Sequence, residues 1–360
     1  MSRNTPPQSL DPTDPPQKSD QRRRDRSGRD NGRRAQSAKP RRTADLIEHI
    51  KQSADKLLRD RTSRGDLKIL SRALGELRYA FKVFAPYRHC RKVTMFGSAR
   101  TPSDRPAYNQ AVEFARAIAA EQWLVITGAA SGIMEAGHVG AGRDNSMGLN
   151  ILLPFEQAAN SVIAGDPKLV HMRYFFTRKL MFMKESHAFA LFPGGFGTLD
   201  ESFELLTLIQ TGKSDMHPIV LMEAPNTEYW GGWLSFVEGT LVERGMIRPA
   251  DLDLFTHTTD IEVAADEICH FYDNYHSQRF VNGDLILRLL HAPGDDLMAE
   301  INDEFSDILT DGRFAAITAT PEEIADDDVP GLPRIRFRFD RRSFGRLRRL
   351  IDLLNDSTPG

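Results

Sequence analysis

Residues 90–275 predict an α/β fold, a parallel sheet flanked by helices. Three observations carry that prediction. From Lys92 onward, short apolar runs alternate with longer stretches of helical spacing. Strands that alternate with helices imply a parallel sheet covered on both faces. Three of the predicted strands also end in turns of small residues: Gly97-Ser98, Gly128 to Gly132, and Gly194 to Thr198. Ligands of such sheets sit outside the carboxyl ends of the strands, where these turns are expected to converge.

The elements follow in order. Residues 1–42 are Pro, Gln, Ser, Asp and Arg, with almost no large apolar side chain, and are expected to stay disordered. They hold 12 Lys and Arg against 5 Asp and Glu, so the net charge of −3 hides a basic tail on an acidic body. The Arg22-Arg23-Arg24 run fits a solubilising extension better than a nucleic-acid contact. Residues 43–89 read as a helical segment: Leu46, Ile47, Ile50, Leu57 and Leu58 recur at helical spacing, as do Leu67, Ile69, Leu70, Leu74, Leu77 and Phe81.

Strands are predicted at Val93–Phe96, Trp123–Thr127, Leu149–Leu153, near Val170, at Ala188–Phe192 and at Pro218–Met222. Helices are predicted at Tyr108–Glu121, Ile133–Gly142, Phe176–Lys184, Leu199–Thr211, Tyr229–Arg244 and Ile261–Tyr275. Residues 276–360 form a mixed C-terminal extension. There Asp284–His291 and Leu297–Leu309 read as helices, and Arg334–Phe339 alternates as an edge strand would. Arg341–Leu354 reads as a basic amphipathic helix, better suited to salt-bridged packing than to nucleic acid.

Composition excludes several classes. Apolar runs such as Ile151-Leu152-Leu153 fall far short of the ~20 residues of a membrane span. The N-terminus lacks a signal-peptide core, and a reduced cytoplasm is the simplest expected compartment. Cys90 and Cys269 make neither a disulfide framework nor a zinc site. His138, His171 and His187 lack metal-ligand spacing, and no metal is expected.

The richest chemistry lies at Pro193-Gly194-Gly195-Phe196-Gly197-Thr198-Leu199-Asp200-Glu201. A glycine turn from strand into helix aims backbone N–H groups along the positive end of the helix dipole, which suits a phosphate. Thr198 adds a hydroxyl donor. No Gly-Lys-Ser/Thr follows and the glycine spacing is not the dinucleotide fingerprint, so a single phosphate ester fits better than ATP. Glu201, expected in the first helical turn, is the carboxylate placed to act on whatever the phosphate carries. Beside a ribose C1′ such a group stabilises an oxocarbenium-like transition state or activates water. Asp200 and Glu204 are its rivals. Arg178 and Lys179 point about 100° apart on a helix, so one is expected to face the pocket. The segment Thr127 to Glu135 offers backbone donors at a second helix start.

Together these motifs resemble the LOG ("Lonely guy") family of nucleoside 5′-monophosphate phosphoribohydrolases. The family's Pro-Gly-Gly-x-Gly-Thr-x-x-Glu pattern is matched from Pro193 to Glu201, its Arg-Lys pair by Arg178-Lys179, and its Gly-Ile/Leu-Met by Gly132-Ile133-Met134. The chain departs at Gly128-Ala129-Ala130, where members often show three glycines. Leu149 to Gln157 looks like the longer bacterial members. The resemblance implies a modified Rossmann fold and a homodimer or higher homo-oligomer with the site near the subunit interface. It implies hydrolysis of AMP or a cytokinin riboside 5′-monophosphate to free base and ribose 5-phosphate, without cofactor or metal. Arg178 and Glu201 are then the catalytic pair, and Gly194, Gly195, Gly197 and Thr198 hold the phosphate. Gly97, Ser98, Gly128, Gly132, Met134 and Lys179 complete the expected nucleotide-binding set. Members have also been labelled lysine decarboxylases, but no lysine here is set up as a pyridoxal phosphate Schiff base. The alternative is a non-catalytic nucleotide or molybdenum-cofactor carrier of the same fold. Retention of both Arg178 and Glu201 favours the enzyme.

Overall fold

The computed structural model describes residues 38–153 and 158–357, in two compact units divided after Arg61. The described part of the first unit is one helix, α1 (Ala38–Arg59). It starts before the expected boundary at residue 43; residues 1–37 of the expected tail lie outside the described residues, as do 154–157.

The second unit opens with α2 (Arg64–Phe84). The Ser63 hydroxyl caps it by accepting a hydrogen bond from the Asp66 backbone at 3.2 Å. There follow β1 (Lys92–Phe96), α3 (Pro106–Ala120), β2 (Leu124–Thr127), α4 (Ile133–Ala141), β3 (Ser146–Ile151) and β4 (Leu169–Met172). Next come α5 (Phe175–Glu185), β5 (Ala188–Leu191), α6 (Phe196–Gln210), β6 (Ile219–Met222), α7 (Tyr229–Phe236), β7 (Thr256–Thr258) and α8 (Ile261–His270). The seven strands form one parallel sheet in the order β4-β3-β2-β1-β5-β6-β7. The chain steps outward from β1 to β4, then crosses back to lay β5 on the other side of β1. That reversal opens a crevice at the carboxyl ends of β2, β1 and β5.

Side chains alternate across the sheet because successive Cβ atoms point to opposite faces. Val93, Met95, Val125, Ala188 and Ala190 pack with α3, α4 and α8 through Phe114, Ile118, Ile133 and Ile268. Phe96, Leu124, Ile126, Phe189 and Leu191 face the other layer, where Phe84, Met181, Phe182, Leu205 and Trp230 lie. Both faces are apolar, so the central strands read as short, nearly continuous apolar runs, as the sequence suggested.

Several boundaries move. Helix α6 starts at Phe196 rather than Leu199, because the Gly195 carbonyl already accepts from the Thr198 and Leu199 amides at 3.0 and 3.1 Å. Strand β3 starts at Ser146, three residues early. Strand β7, Thr-His-Thr, has no apolar run to announce it. The helix expected to reach Arg244 passes at Val237 into a π-helical stretch ending at Val242. Helix α8 stops at His270, short of the expected Tyr275.

The C-terminal extension is a second sheet. It comprises β8 (Tyr275–Val281), β9 (Asp284–Leu289), α9 (Asp295–Glu304), β10 (Leu309–Ile317), α10 (Pro321–Asp326), β11 (Arg334–Phe339) and α11 (Phe344–Asp356). The strands run antiparallel in the order β10-β11-β9-β8. Two expectations fail here. The segment expected as a helix over Asp284–His291 forms strand β9 instead, ending at Leu289: Leu285, Ile286, Leu287 and Leu289 are fully buried, and a short apolar run has no period to decide between the two. The turn Asn282-Gly283, with φ of 50° and 97°, closes its hairpin with β8. Strand β11 is interior, not an edge, flanked by β10 and β9. Its Arg334 is buried and shares the buried Glu323 carboxylate with Arg288, at 3.0 and 2.8 Å. The basic face of α11 is ion-paired: Arg348 with Glu267 and Asp352, Arg346 with Asp307, and Arg349 with Asp253.

Candidate functional site

The crevice at the switch point is a cleft of about 710 Å³. The turns after β1, β2 and β5 line it, with residues of α5 and α6. Ser98 holds the three turns together. Its N–H donates to the Pro193 carbonyl at 3.1 Å, and its carbonyl accepts from the Ile133 N–H at 3.0 Å. Gly132 passes beneath with φ +67°; a Cβ there would lie 2.3 Å from the Ser98 carbonyl oxygen. At Gly97 a Cβ would lie 2.6 Å from the Ile133 side chain. Gly194 admits the Thr198 hydroxyl, which a Cβ would meet at 2.1 Å. The Tyr229 hydroxyl donates to the Gly194 carbonyl at 2.7 Å and fixes the turn from the α7 side.

The start of α6 is open toward the cleft. Its N-cap is Gly195, so no side chain satisfies the first-turn amides. Where Cβ atoms would project from Gly195 and Gly197 there is open space, and both residues line the cleft. An uncapped helix start beside a cleft suits a phosphate oxygen.

Arg178 reaches the cleft from α5. Its Nε donates to the Leu149 carbonyl at 2.8 Å, and the guanidinium stands 5.1 Å from the Phe182 ring centre. It passes so close to β2's turn that a Cβ on Gly128 would lie 2.2 Å from Nη2, and 2.6 Å from the Met134 sulfur.

Glu201 stands in the second turn of α6, not the first as expected, since the helix begins earlier. It therefore does not serve as a first-turn complement to the dipole. It is 6% exposed, and its Oε2 has no hydrogen-bond partner. Burial pushes its pKa up to about 7, against the opposing pull of the Lys179 and Arg178 charges. A carboxyl poised near neutral pH in a cleft is suited to proton transfer. Its rivals are engaged elsewhere: Lys179 binds Asp200 at 2.8 Å and Glu204 at 2.6 Å.

The cleft thus brings together Gly97, Ser98, Gly128, Met134, Arg178, Gly194, Gly195, Gly197, Thr198 and Glu201. Two expected residues stand apart. Gly132 supports the floor from behind, and Lys179 lies in the wall of a different cleft, paired with Asp200 and Glu204. Sequence reasoning missed Arg100, Asn150, Phe175 and Tyr229, all lining residues. Tyr229 had no local signal beyond a helix start, because its contact with Gly194 spans 35 residues. Among the described residues no three His, Cys, Asp or Glu side chains gather as metal ligands do, and no helix is long and apolar enough to cross a membrane.

Fold and cleft define an α/β protein with an uncapped helix start and a buried carboxyl at the switch point of a parallel sheet. A family described as "Possible lysine decarboxylase" matches residues 127–268. A probable cytokinin riboside 5′-monophosphate phosphoribohydrolase of Oryza sativa subsp. japonica is 30% identical over 165 residues, 44% of this chain and 64% of the relative. Cytokinin riboside 5′-monophosphate phosphoribohydrolases of Arabidopsis thaliana and Rhodococcoides fascians are 40% and 38% identical over 98 and 87 residues. These alignments take in 27% and 24% of this chain and 42% of each relative. The chain thus spans less than two thirds of the length of these curated relatives. Among solved structures, the molybdenum cofactor carrier protein of Chlamydomonas reinhardtii is 18% identical with a TM-score of 0.34, covering 50% of this chain and 96% of that one. The molybdenum cofactor binding protein of Rippkaea orientalis is 19% identical with a TM-score of 0.32, covering 48% and 90%. By the family match and the named relatives, the chain is similar to the LOG phosphoribohydrolases over part of its length.

Proposed function

We propose that the protein hydrolyses the N-glycosidic bond of a nucleoside 5′-monophosphate, AMP or a cytokinin riboside 5′-monophosphate, to free base and ribose 5-phosphate. The observation that carries this reading is the pairing, in one cleft, of an open helix-start cradle with the buried, half-unpartnered Glu201 carboxyl. The phosphate seated at Gly195–Thr198 fixes the ribose, so binding energy remote from C1′ positions the reacting bond. The C1′–N bond breaks with its electron pair going to the base. Ionised Glu201 offsets the charge growing on C1′ and accepts a proton from the attacking water. The water oxygen bonds to C1′, and one proton ends on the base nitrogen. Arg178, held by the Leu149 carbonyl and Phe182, orients the ribose beside Glu201.

The test is base release, followed by chromatography, from AMP, isopentenyladenosine monophosphate and the matching nucleosides. The nucleotides should turn over at least about a hundredfold faster than the nucleosides, since the cradle contributes nothing to an unphosphorylated substrate. Equal rates would remove the cradle from the mechanism. Binding of nucleotides without any release would put a carrier role in its place.

The working unit we infer is at least a dimer. Phe175 and Phe196 rim the cleft while 51% and 93% exposed, a placement that suits apolar contact with a second copy. Sedimentation should show a dimer for wild type and a shift toward monomer for Phe196→Asp. A monomeric wild type would end this inference.

A further inference from the structure

A second, larger cleft of about 1000 Å³ lies away from the phosphate cradle, between α5, the turn after α6, the approach to β1, and β8. Its walls carry six Lys and Arg side chains against two carboxylates. Three of these cations have no carboxylate partner among the described residues. Arg88 donates only to the Ala85 carbonyl, at 3.1 Å; Arg91 lies 3.7 Å over the Tyr272 ring; Lys213 projects from the turn after α6. Burial lowers the Arg91 pKa, the mark of a guanidinium partly desolvated without an anion to compensate it.

Two imidazoles complete the wall. His187 accepts from the Lys92 amide at Nδ1, at 3.1 Å, which leaves Nε2 as its donor. Burial and the nearby Lys92 and Arg91 charges push its pKa down to about 2. Burial takes His217 down to about 4, so both rings are neutral hydrogen-bonding groups at neutral pH. The unpaired cations reach the cleft from two segments, Arg88 and Arg91 from the approach to β1 and Lys213 from the turn after α6, an arrangement that suits several linked phosphates better than one carboxylate. Leu180, Met183 and Met216 offer an apolar floor for the organic part of such a ligand. Outside residues 1–42 the chain is net acidic, so this concentration of unneutralised positive charge is a local feature that attracts anions.

We propose that this second cleft binds a small molecule bearing two or more phosphate groups, at a site separate from the cleft that holds Glu201. The probe is inorganic tripolyphosphate, titrated calorimetrically into the full chain at physiological salt. Gly197→Asp places a carboxylate in the main cradle, where a Cβ meets open space, and so blocks that site without disturbing packing. Tripolyphosphate should still bind this variant at one site per chain. Adding Arg88→Glu and Lys213→Glu, both on exposed positions, should weaken that binding at least tenfold. Binding that survives the double charge reversal, binding abolished by Gly197→Asp alone, or no binding at all would each overturn the proposal. The titration reads binding alone, so its outcome is independent of the reaction assigned to the main cleft.

Discussion

Glu201→Gln is expected to cut turnover of AMP by about a thousandfold or more while nucleotide binding persists, because it removes the proton acceptor and the charge facing C1′. The same change is expected to stabilise the fold at alkaline pH. The folded pKa is raised, from 4.5 to about 7, so the native state holds a proton that the unfolded chain has already lost between those values. Stability therefore falls as pH rises through that window, and the full penalty, about 3 kcal/mol, is present above pH 7. The amide escapes it. Denaturant melts should show Glu201→Gln gaining about that much over wild type at pH 8 and almost nothing at pH 4. Wild-type kcat/KM should rise with pH up to about 7 as Glu201 ionises. A variant that keeps its activity, or a stability difference that does not change with pH, would show that this carboxyl is neither the reacting group nor buried in its charged form.

Gly128→Ala is the second large effect. The new methyl would stand 2.2 Å from the Arg178 guanidinium and 2.6 Å from the Met134 sulfur. Both are far ends of flexible side chains, so the fold should lose less than about 1 kcal/mol. Arg178 must nevertheless leave its position, and a displacement of an ångström at a positioning group costs about a hundredfold in kcat/KM. Steady-state kinetics beside thermal melts separate the two. A variant with normal kinetics would mean that the observed Arg178 placement is not the working one.

The parallel sheet was legible because its strands are buried on both faces and its helices carry one apolar face each; local composition records both. The glycine turn from β5 into α6 was legible for a related reason. Gly194, Gly195, Gly197 and Thr198 are neighbours in the chain, and a strand-to-helix turn needs only neighbours. What failed were features decided at a distance. The true start of α6 depends on how tightly the Gly195 carbonyl is shared, and Glu201 moved by a turn in consequence. Lys179 looked like a phosphate ligand until Asp200 and Glu204 were found to hold it. Tyr229 owes its role to a carbonyl 35 residues away. In the extension, Leu285 to Leu289 gave no period, and the local clue to the hairpin, Asn282-Gly283, was a turn signal that outweighs any apolar run.

The order of the strands also sets when the cleft can exist. Val93 pairs with Ala188, and the bond from the Lys92 amide to His187 spans 95 residues. As the chain leaves the ribosome, β1 to β4 can assemble with their turns at Gly97 and Gly128 while the central gap beside β1 stays open. Only when β5 fills that gap do the cradle and Glu201 arrive, together and on one helix. Closing so long a loop is slow, and the half-built sheet meanwhile presents the unpaired side of the buried β1. That side of β1 is where a nascent chain of this protein is most exposed to wrong pairing, and where a chaperone would have the most to cover.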